Sequence, residues 1–364
     1  MSSVFGEHFR LTLFGQSHGA AIGAVLDGFP AGMRIDMEAL LFHLARRAPG
    51  TGAVTTARRE TDRPEFLSGV LDGVTTGQPI CAVIRSEDQH SGDYGERMDV
   101  PRPSHADYTS HVRYFGYEDW RGGGSSSGRL TAPVVLAGAL CRQYLASQGV
   151  RISAQIASIG EITDDPLAGA ESWDAEGLLR MRFPTLREGA AEEMERAVLR
   201  AREEGNSLGG TVACRVDGLP AGLGAPFFDS AESVLSHLLF SVPGVKAVSF
   251  GDGFALARLR GSEANDAFAL GAAGEVVTAT NHAGGINGGI TNGMPLIVTC
   301  ALRPTPSIAL PQRSVSLSAG AETELTVRGR HDPCIVPRAV PVIEAMCAVG
   351  LMELWKERAS CLRV

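Results

Sequence analysis

His18 stands where an internal repeat breaks. Residues 17–33 read SHGAAIGAVLDGFPAGM and residues 207–223 read SLGGTVACRVDGLPAGL; the two align without a gap, yet His18 faces Leu208. Residues shared by both copies make a scaffold, so the one that differs is a candidate for proton transfer, which histidine performs near neutral pH. Two more loops set a histidine beside a carboxylate and arginine: Pro103-Ser-His105-Ala-Asp-Tyr108, preceded by Arg102, and Arg328-Gly-Arg330-His-Asp332-Pro. A carboxylate beside arginine is held ionised as a base or orienting group, although a histidine in such a loop also suits plain structural hydrogen bonding. Two glycine-dense loops complete the set. Arg121-Gly-Gly-Gly-Ser-Ser-Ser-Gly-Arg129 runs into a helix start. Small residues there let N–H groups converge with the helix dipole on an anion. The Lys-Ser/Thr ending of a Walker motif is missing, and the composition also suits a simple surface loop. Residues 281–293 read NHAGGINGGITNG. Their paired glycines admit a flat ligand close to the backbone, or else form a run of tight turns.

These loops need elements to hold them. Residues 9–15, 22–27, 79–86, 245–250 and 294–302 read as strands. Helices are expected over 36–47 with Asp36 as N-cap, 131–147 with an apolar face at Val134, Val135, Gly138 and Leu145, and 189–204. Another is expected over 229–240, with Asp229 and Glu232 in capping-box spacing, and a long buried one from Pro341 onward. Residues 87–128 are polar and weakly periodic, the mark of a functional or disordered loop. Strands and helices alternate without a regular βαβ rhythm, so the fold class is α+β, with antiparallel sheets packed on helices. The repeat units near 17–47 and 207–240 predict one domain, 1–364, built from two related halves.

Composition excludes several classes. Hydrophobic residues make up 44% and charged ones 20%, as in an ordinary folded protein. No apolar run spans a membrane, and the first residues lack a charged-then-apolar leader, so a cytoplasmic location is expected. The seven cysteines are scattered and never in CxxC, which argues against a disulfide framework and against a metal site. A net charge of −8 disfavours nucleic acid. Within this acidic chain, Arg46/Arg47, Arg58/Arg59, Arg102, Arg121, Arg129 and Arg330 cluster beside Gly, His and Pro, which suggests a small polyanionic ligand. Arg46 and Arg47 also have a structural reading, as cations in a helix's last turn.

Taken in order, the segments FGQSHGAAIGAVLDGFPAG, RRxPG, TxRRExDxxxxLSGVxxGVTTGxPI, HADYT, RGGGxSS, NHAGGIxGGIxNG, RPTPSI and GRHDPC resemble the chorismate synthase family over nearly the whole chain. The resemblance implies helices sandwiched between antiparallel sheets and a lyase of the shikimate pathway, in aromatic amino acid biosynthesis. That lyase converts 5-enolpyruvylshikimate 3-phosphate to chorismate by 1,4-anti elimination of phosphate. It implies reduced FMN as cofactor, a small anionic shikimate-type substrate and a homotetramer. His18 resembles the histidine that protonates the leaving phosphate, His105 the histidine near the flavin, and Asp332 the carboxylate assisting proton removal. Arg46, Arg47, Arg102, Arg129 and Arg330 match substrate-holding arginines. Ser125, Ser126, Ser127, Gly289, Arg303, Ser307 and Arg330 match flavin-holding positions.

The chain departs from the family pattern in its loops. Gln16 replaces the glutamate of GESHG, Ala53 an arginine, Ser104 the glycine of PGHADYT, and Ser125 the arginine of RGGGRSS; Leu130 stands in place of a glutamate. Each lost cation removes a contact worth about 1.5–3 kcal/mol. A paralogue eliminating from a different shikimate-type substrate therefore stays open beside chorismate formation. So do a flavin-binding protein without catalysis and an NAD(P)H:flavin oxidoreductase, although no dinucleotide fingerprint is present.

Overall fold

The computed structural model describes residues 3–49, 62–86, 99–167, 174–327 and 331–361. Ala53, Arg58, Arg59, Arg328 and Arg330 lie outside the described residues. Two five-stranded sheets organise the chain, each antiparallel throughout. The first runs in the order Val4–Phe5, Arg10–Gly15, Ala21–Asp27, Ile80–Arg85, Pro64–Ser68. The second runs Val245–Phe250, Leu296–Leu302, Gly210–Asp217, Arg151–Ile159, Ile162–Thr163.

Both copies of the repeat take the same place. The strands Ala21–Asp27 and Gly210–Asp217 each lie third of five in their sheet. Each leads into a DGxPAG turn in which both glycines have positive φ, +80° and +84° at Gly28 and Gly32, +79° and +101° at Gly218 and Gly222. Only glycine adopts this backbone without strain. A helix follows each turn, Met37–Arg47 and Ala231–Ser241.

Two helices fill the space between the sheets. Thr131–Ser147 packs on the first sheet, Val336–Cys361 packs on the second, and the two pack on each other. Their approach is close at Gly138, where a Cβ would come 2.3 Å from that of Ala345. This sandwiched position explains one difference from the sequence reading. Ala132–Cys141 is buried on every side rather than along one apolar face, because both neighbours are apolar layers.

Other differences are local. The last helix begins at Val336, and Pro341 lies inside it. The proline forfeits one backbone hydrogen bond, which the buried run Ala339–Leu354 outweighs. The Ala231–Ser241 helix is capped by Ser230, whose Oγ accepts from Ser233 N at 3.1 Å; Asp229 belongs to a preceding single turn. Within the polar stretch 87–128, the described part forms a short helix, Asp107–Arg113, and tight turns. The sequence reading passes over the strand Arg151–Ile159 and the hairpins Phe268–Leu270/Val276–Thr278 and Gln312–Ser316/Ala321–Leu325. Among the described residues no helix is long and apolar enough to cross a membrane, and no three His, Cys, Asp or Glu side chains group as metal ligands.

Candidate active site

The glycine loop is the centre of the site. Gly122, Gly123 and Gly124 all have positive φ, at +59°, +89° and +52°, which lets the backbone fold tightly against its neighbours. His18 sits just before the strand Ala21–Asp27, fixed where Ser17 N donates to Gly124 O at 3.1 Å. A Cβ on Gly122 would lie 2.2 Å from His18 Cε1, and one on Gly123 would lie 3.2 Å from His105 Cε1. Consecutive glycines thus seat the two candidate histidines. His18 is 3% exposed. Asp119, gripped by Arg121 through two 2.8 Å bonds, is held below the ordinary carboxylate range by that arginine and also feels His18. In the other copy of the repeat Leu208 is half-buried, and its N–H donates to Pro333 O at 2.9 Å. The scaffold is repeated; the histidine is on one side only.

His105 belongs to a compact ionic group. Arg102 forks onto Asp107 (Nε–Oδ2 2.7 Å, Nη2–Oδ1 2.8 Å) and reaches Ser307 Oγ at 3.2 Å. His105 Nδ1 lies 2.6 Å from Asp107 Oδ1 and 3.0 Å from Arg102 Nη2. An ionised carboxylate only accepts, so the short contact to Asp107 assigns the Nδ1 proton to His105, and the Arg102 guanidinium, which only donates, packs beside that nitrogen without a hydrogen bond to it. Burial pushes the Asp107 carboxyl up, but the bonds from Arg102 and His105 hold it well below the usual range. Arg303 Nη1 donates to Ser104 O at 2.6 Å. Ser104 has φ +61°, a left-handed backbone at the position where the family pattern has glycine. Further bonds, Ser314 Oγ to Pro101 O and Ser318 N to Asp99 Oδ1, staple residues 99–107 onto the distant 303–318 segment.

Two other groups hold the remaining arginines. Arg47 Nη2 donates to Asp62 Oδ2 at 2.6 Å, and Arg129 bonds the other oxygen of the same carboxylate. Arg338 bonds Asp332 and also donates from Nε to Arg47 O at 2.9 Å. Arg46 grips Glu344 (2.5 and 3.2 Å), beside Arg142 at 3.5 Å and the Ala154 N–H at 3.1 Å. Nearby, burial and the field of Arg142 push His43 down to about 4, so that it is neutral at pH 7.

The structure therefore brings His18, His105, Arg102, Ser307 and the glycine loop together. It sets Arg47 and Arg129 on one carboxylate. Ser125 and Ser126 are exposed on the loop, and Ser127 Oγ accepts from Arg129 N. Gly289 lies elsewhere, where a Cβ would press 2.7 Å from that of Ser230. A cavity of about 360 Å³ opens beside the loop, lined among others by Gln16, Asp107, Tyr114, Trp120, Gly123 and Ser125. Two of the departing residues, Gln16 and Ser125, thus form its wall. Sequence reasoning missed Asp62, Arg338 and Glu344. Asp62 was legible as the aspartate of the RRExD segment. Glu344, inside an apolar helix, was detectable as an acid in a buried run.

The family model described as chorismate synthase matches residues 9–355. A chorismate synthase of Dehalococcoides mccartyi is 43% identical over 354 residues, covering 97% of this chain and 96% of the relative. One from Thermococcus kodakarensis is 45% identical over 356 residues, covering 97% and 98%. A crystal structure of chorismate synthase aligns with TM-score 0.77 at 28% identity, covering 97% of this chain and 93% of that one. With its two antiparallel sheets, intervening helices and a glycine loop packed against two histidines, and matched along almost its full length, the chain belongs to the chorismate synthase family.

Proposed function

We propose that this protein converts 5-enolpyruvylshikimate 3-phosphate to chorismate and inorganic phosphate, using reduced FMN. The observation that carries the reading is identity above 40% to chorismate synthases along nearly the whole chain, which favours chorismate formation over elimination from a different ring. In a 1,4-elimination the ring C–O bond to phosphate breaks, a ring C–H proton departs, and that electron pair completes the new double bond. No electrons are gained or lost overall. His18 protonates the departing phosphate oxygen. Arg46, Arg47, Arg102, Arg129 and Arg330 hold the anionic groups. Asp332, oriented by Arg338, assists proton removal.

The residues present fit a flavin. Backbone at Gly123 leaves room that a Cβ would close against His105, and the cavity beside it is lined in part by the aromatic side chains of Tyr114 and Trp120, as suits a flat ring system. Ser125, Ser126, Ser127, Ser307, Arg303 and Arg330 are the residues proposed to hold it, and Gly289, which packs against Ser230, is not among them. When bound, reduced FMN supplies electron density to the ring as phosphate leaves. A single cytoplasmic domain of two related halves, assembled as a homotetramer, completes the reading. Phe227, Phe228, Phe254 and Phe268 are 87%, 91%, 84% and 74% exposed, and so much exposed aromatic surface is what subunit contact covers.

An anaerobic assay with reduced FMN tests the reading. Chorismate absorbance and phosphate should rise in equal amounts; phosphate release without chorismate, or neither, refutes it. Gly122→Ala is the sharpest local test. The added methyl occupies the place of the His18 ring, so turnover should fall to the level of a His18 deletion while far-UV circular dichroism is unchanged. Unimpaired turnover would show that the glycine loop does not seat His18 during catalysis.

A further inference from the structure

Asp62 joins two arginines that arrive from different parts of the chain. Arg47 comes from the last turn of the Met37–Arg47 helix, and Arg129 from the turn Gly128–Leu130 before the central helix. Both guanidiniums bond the one carboxylate, through separate oxygens. The three side chains are 2%, 5% and 1% exposed for Arg47, Arg129 and Asp62. Two buried guanidiniums side by side repel strongly in a poorly polarisable interior, and a carboxylate between them converts that repulsion into a fixed fork. Burial pushes Arg47 down to about 10 while Asp62 pulls it up, so Arg47 stays charged at neutral pH. The formal charges of the trio sum to one positive.

The rest of the grip on Arg47 is weak. Its Nη1 reaches the Arg129 carbonyl at 3.5 Å and Thr131 Oγ1 at 3.4 Å, longer than strong charge-assisted bonds. The short bond to Asp62 therefore fixes where this guanidinium points. Asp62 itself has φ +46°, a left-handed conformation that aspartate and asparagine tolerate better than most residues. The backbone of Arg47 is held by Arg338, which also holds Asp332, so the trio is continuous with the proposed proton-removing carboxylate.

We propose that Asp62 is a positioning residue that holds Arg47 and Arg129 as a single pair directed at an anionic oxygen cluster of the substrate, phosphate above all. The inference rests on reading these two arginines as substrate contacts. Asp62 touches neither substrate nor reacting atoms; it acts through the arginines.

Asp62→Asn is the test, because asparagine keeps the shape and the tolerance for left-handed φ and removes only the charge. The KM for 5-enolpyruvylshikimate 3-phosphate should rise roughly 10- to 100-fold, the worth of one weakened charge-assisted contact. Inhibition by inorganic phosphate should weaken by a similar factor, and kcat at saturation should stay within several-fold. A merely structural Asp62 gives fewer active molecules instead: kcat falls while KM and the phosphate inhibition constant hold, and that result overturns the proposal. Tighter phosphate binding in Asp62→Asn also overturns it, since Asp62 would then only offset charge. If Asp62→Asn does not fold, Asp62→Glu keeps the charge and displaces it by one methylene, and the same KM-against-kcat split decides. Should the unaltered protein not turn this substrate over, the functional reading fails by itself. Calorimetric binding of inorganic phosphate to the unaltered and Asp62→Asn proteins then still decides the role of Asp62.

Discussion

His18→Ala should lower turnover roughly 10²–10⁴-fold, the usual worth of a positioned general acid, and leave the fold intact. The fold should survive because the other copy of the repeat already does without the histidine: Leu208 occupies that place beside an equivalent central strand. The expected signature is a fall in kcat with little change in substrate KM, since the proton is needed only as the C–O bond breaks. His18→Gln fills the same space without an acid and should be equally slow. Single-turnover measurement under anaerobic conditions separates this step from product release. Unchanged turnover in either variant would return His18 to a packing role.

Glu344→Ala should destabilise the protein by about 3–5 kcal/mol, the cost of leaving buried charges uncompensated. Glu344 is 3% exposed in the middle of the Val336–Cys361 helix. Burial raises its carboxyl, but the fields of Arg46 and Arg142 overcome this and hold it below its ordinary value. Removing it strands two nearly buried guanidiniums, 10% and 17% exposed, side by side. Urea denaturation followed by far-UV circular dichroism reads the loss. The pH dependence has a definite sign. A depressed carboxyl contributes fully above its unfolded value of 4.5 and loses that contribution as pH falls through the lower folded value. Glu344→Gln should therefore remove part of the acid sensitivity below pH 4.5. If Glu344→Ala melts like the unaltered protein, the cluster is not a core element.

Helices and central strands were legible where a single physical rule decided them. Asp36 announces the Met37–Arg47 helix and accepts from Ala39 N. The strands read at 9–15 and 22–27 fall within a residue of those observed, Arg10–Gly15 and Ala21–Asp27. Errors arose where two rules competed. Asp229 and Ser230 are both good caps, and the backbone chose the serine. Pro341 reads as a helix start, yet packing carries the helix through it. At the site, residue types were legible and pairings were not. Arg46, Arg47 and Arg129 read as ligands because a run of arginines beside glycine suggests an anion. Only three-dimensional contact shows that Glu344 and Asp62 already hold them. No partner is within a turn or two of its acid in sequence: Glu344 lies 298 residues from Arg46, and Asp62 lies 15 from Arg47 and 67 from Arg129. Periodicity carries no information at such separations.

Glu353, in the last helix, accepts hydrogen bonds from the amides of Glu7, His8 and Phe9. The first strands of the chain are thus tied down by a residue made 344 positions after Phe9. At ribosomal speeds of roughly 5–20 residues per second, that is about 17–70 s of synthesis. Throughout that interval the Thr131–Ser147 helix, which covers the inner face of the N-terminal sheet, lacks the helix that packs on its other side, and its apolar outer side, with Gly138, has no permanent cover. The newborn chain must wait for its own end. Holdase chaperones should find it during that wait, and a ribosome stalled before residue 336 should release an aggregating fragment.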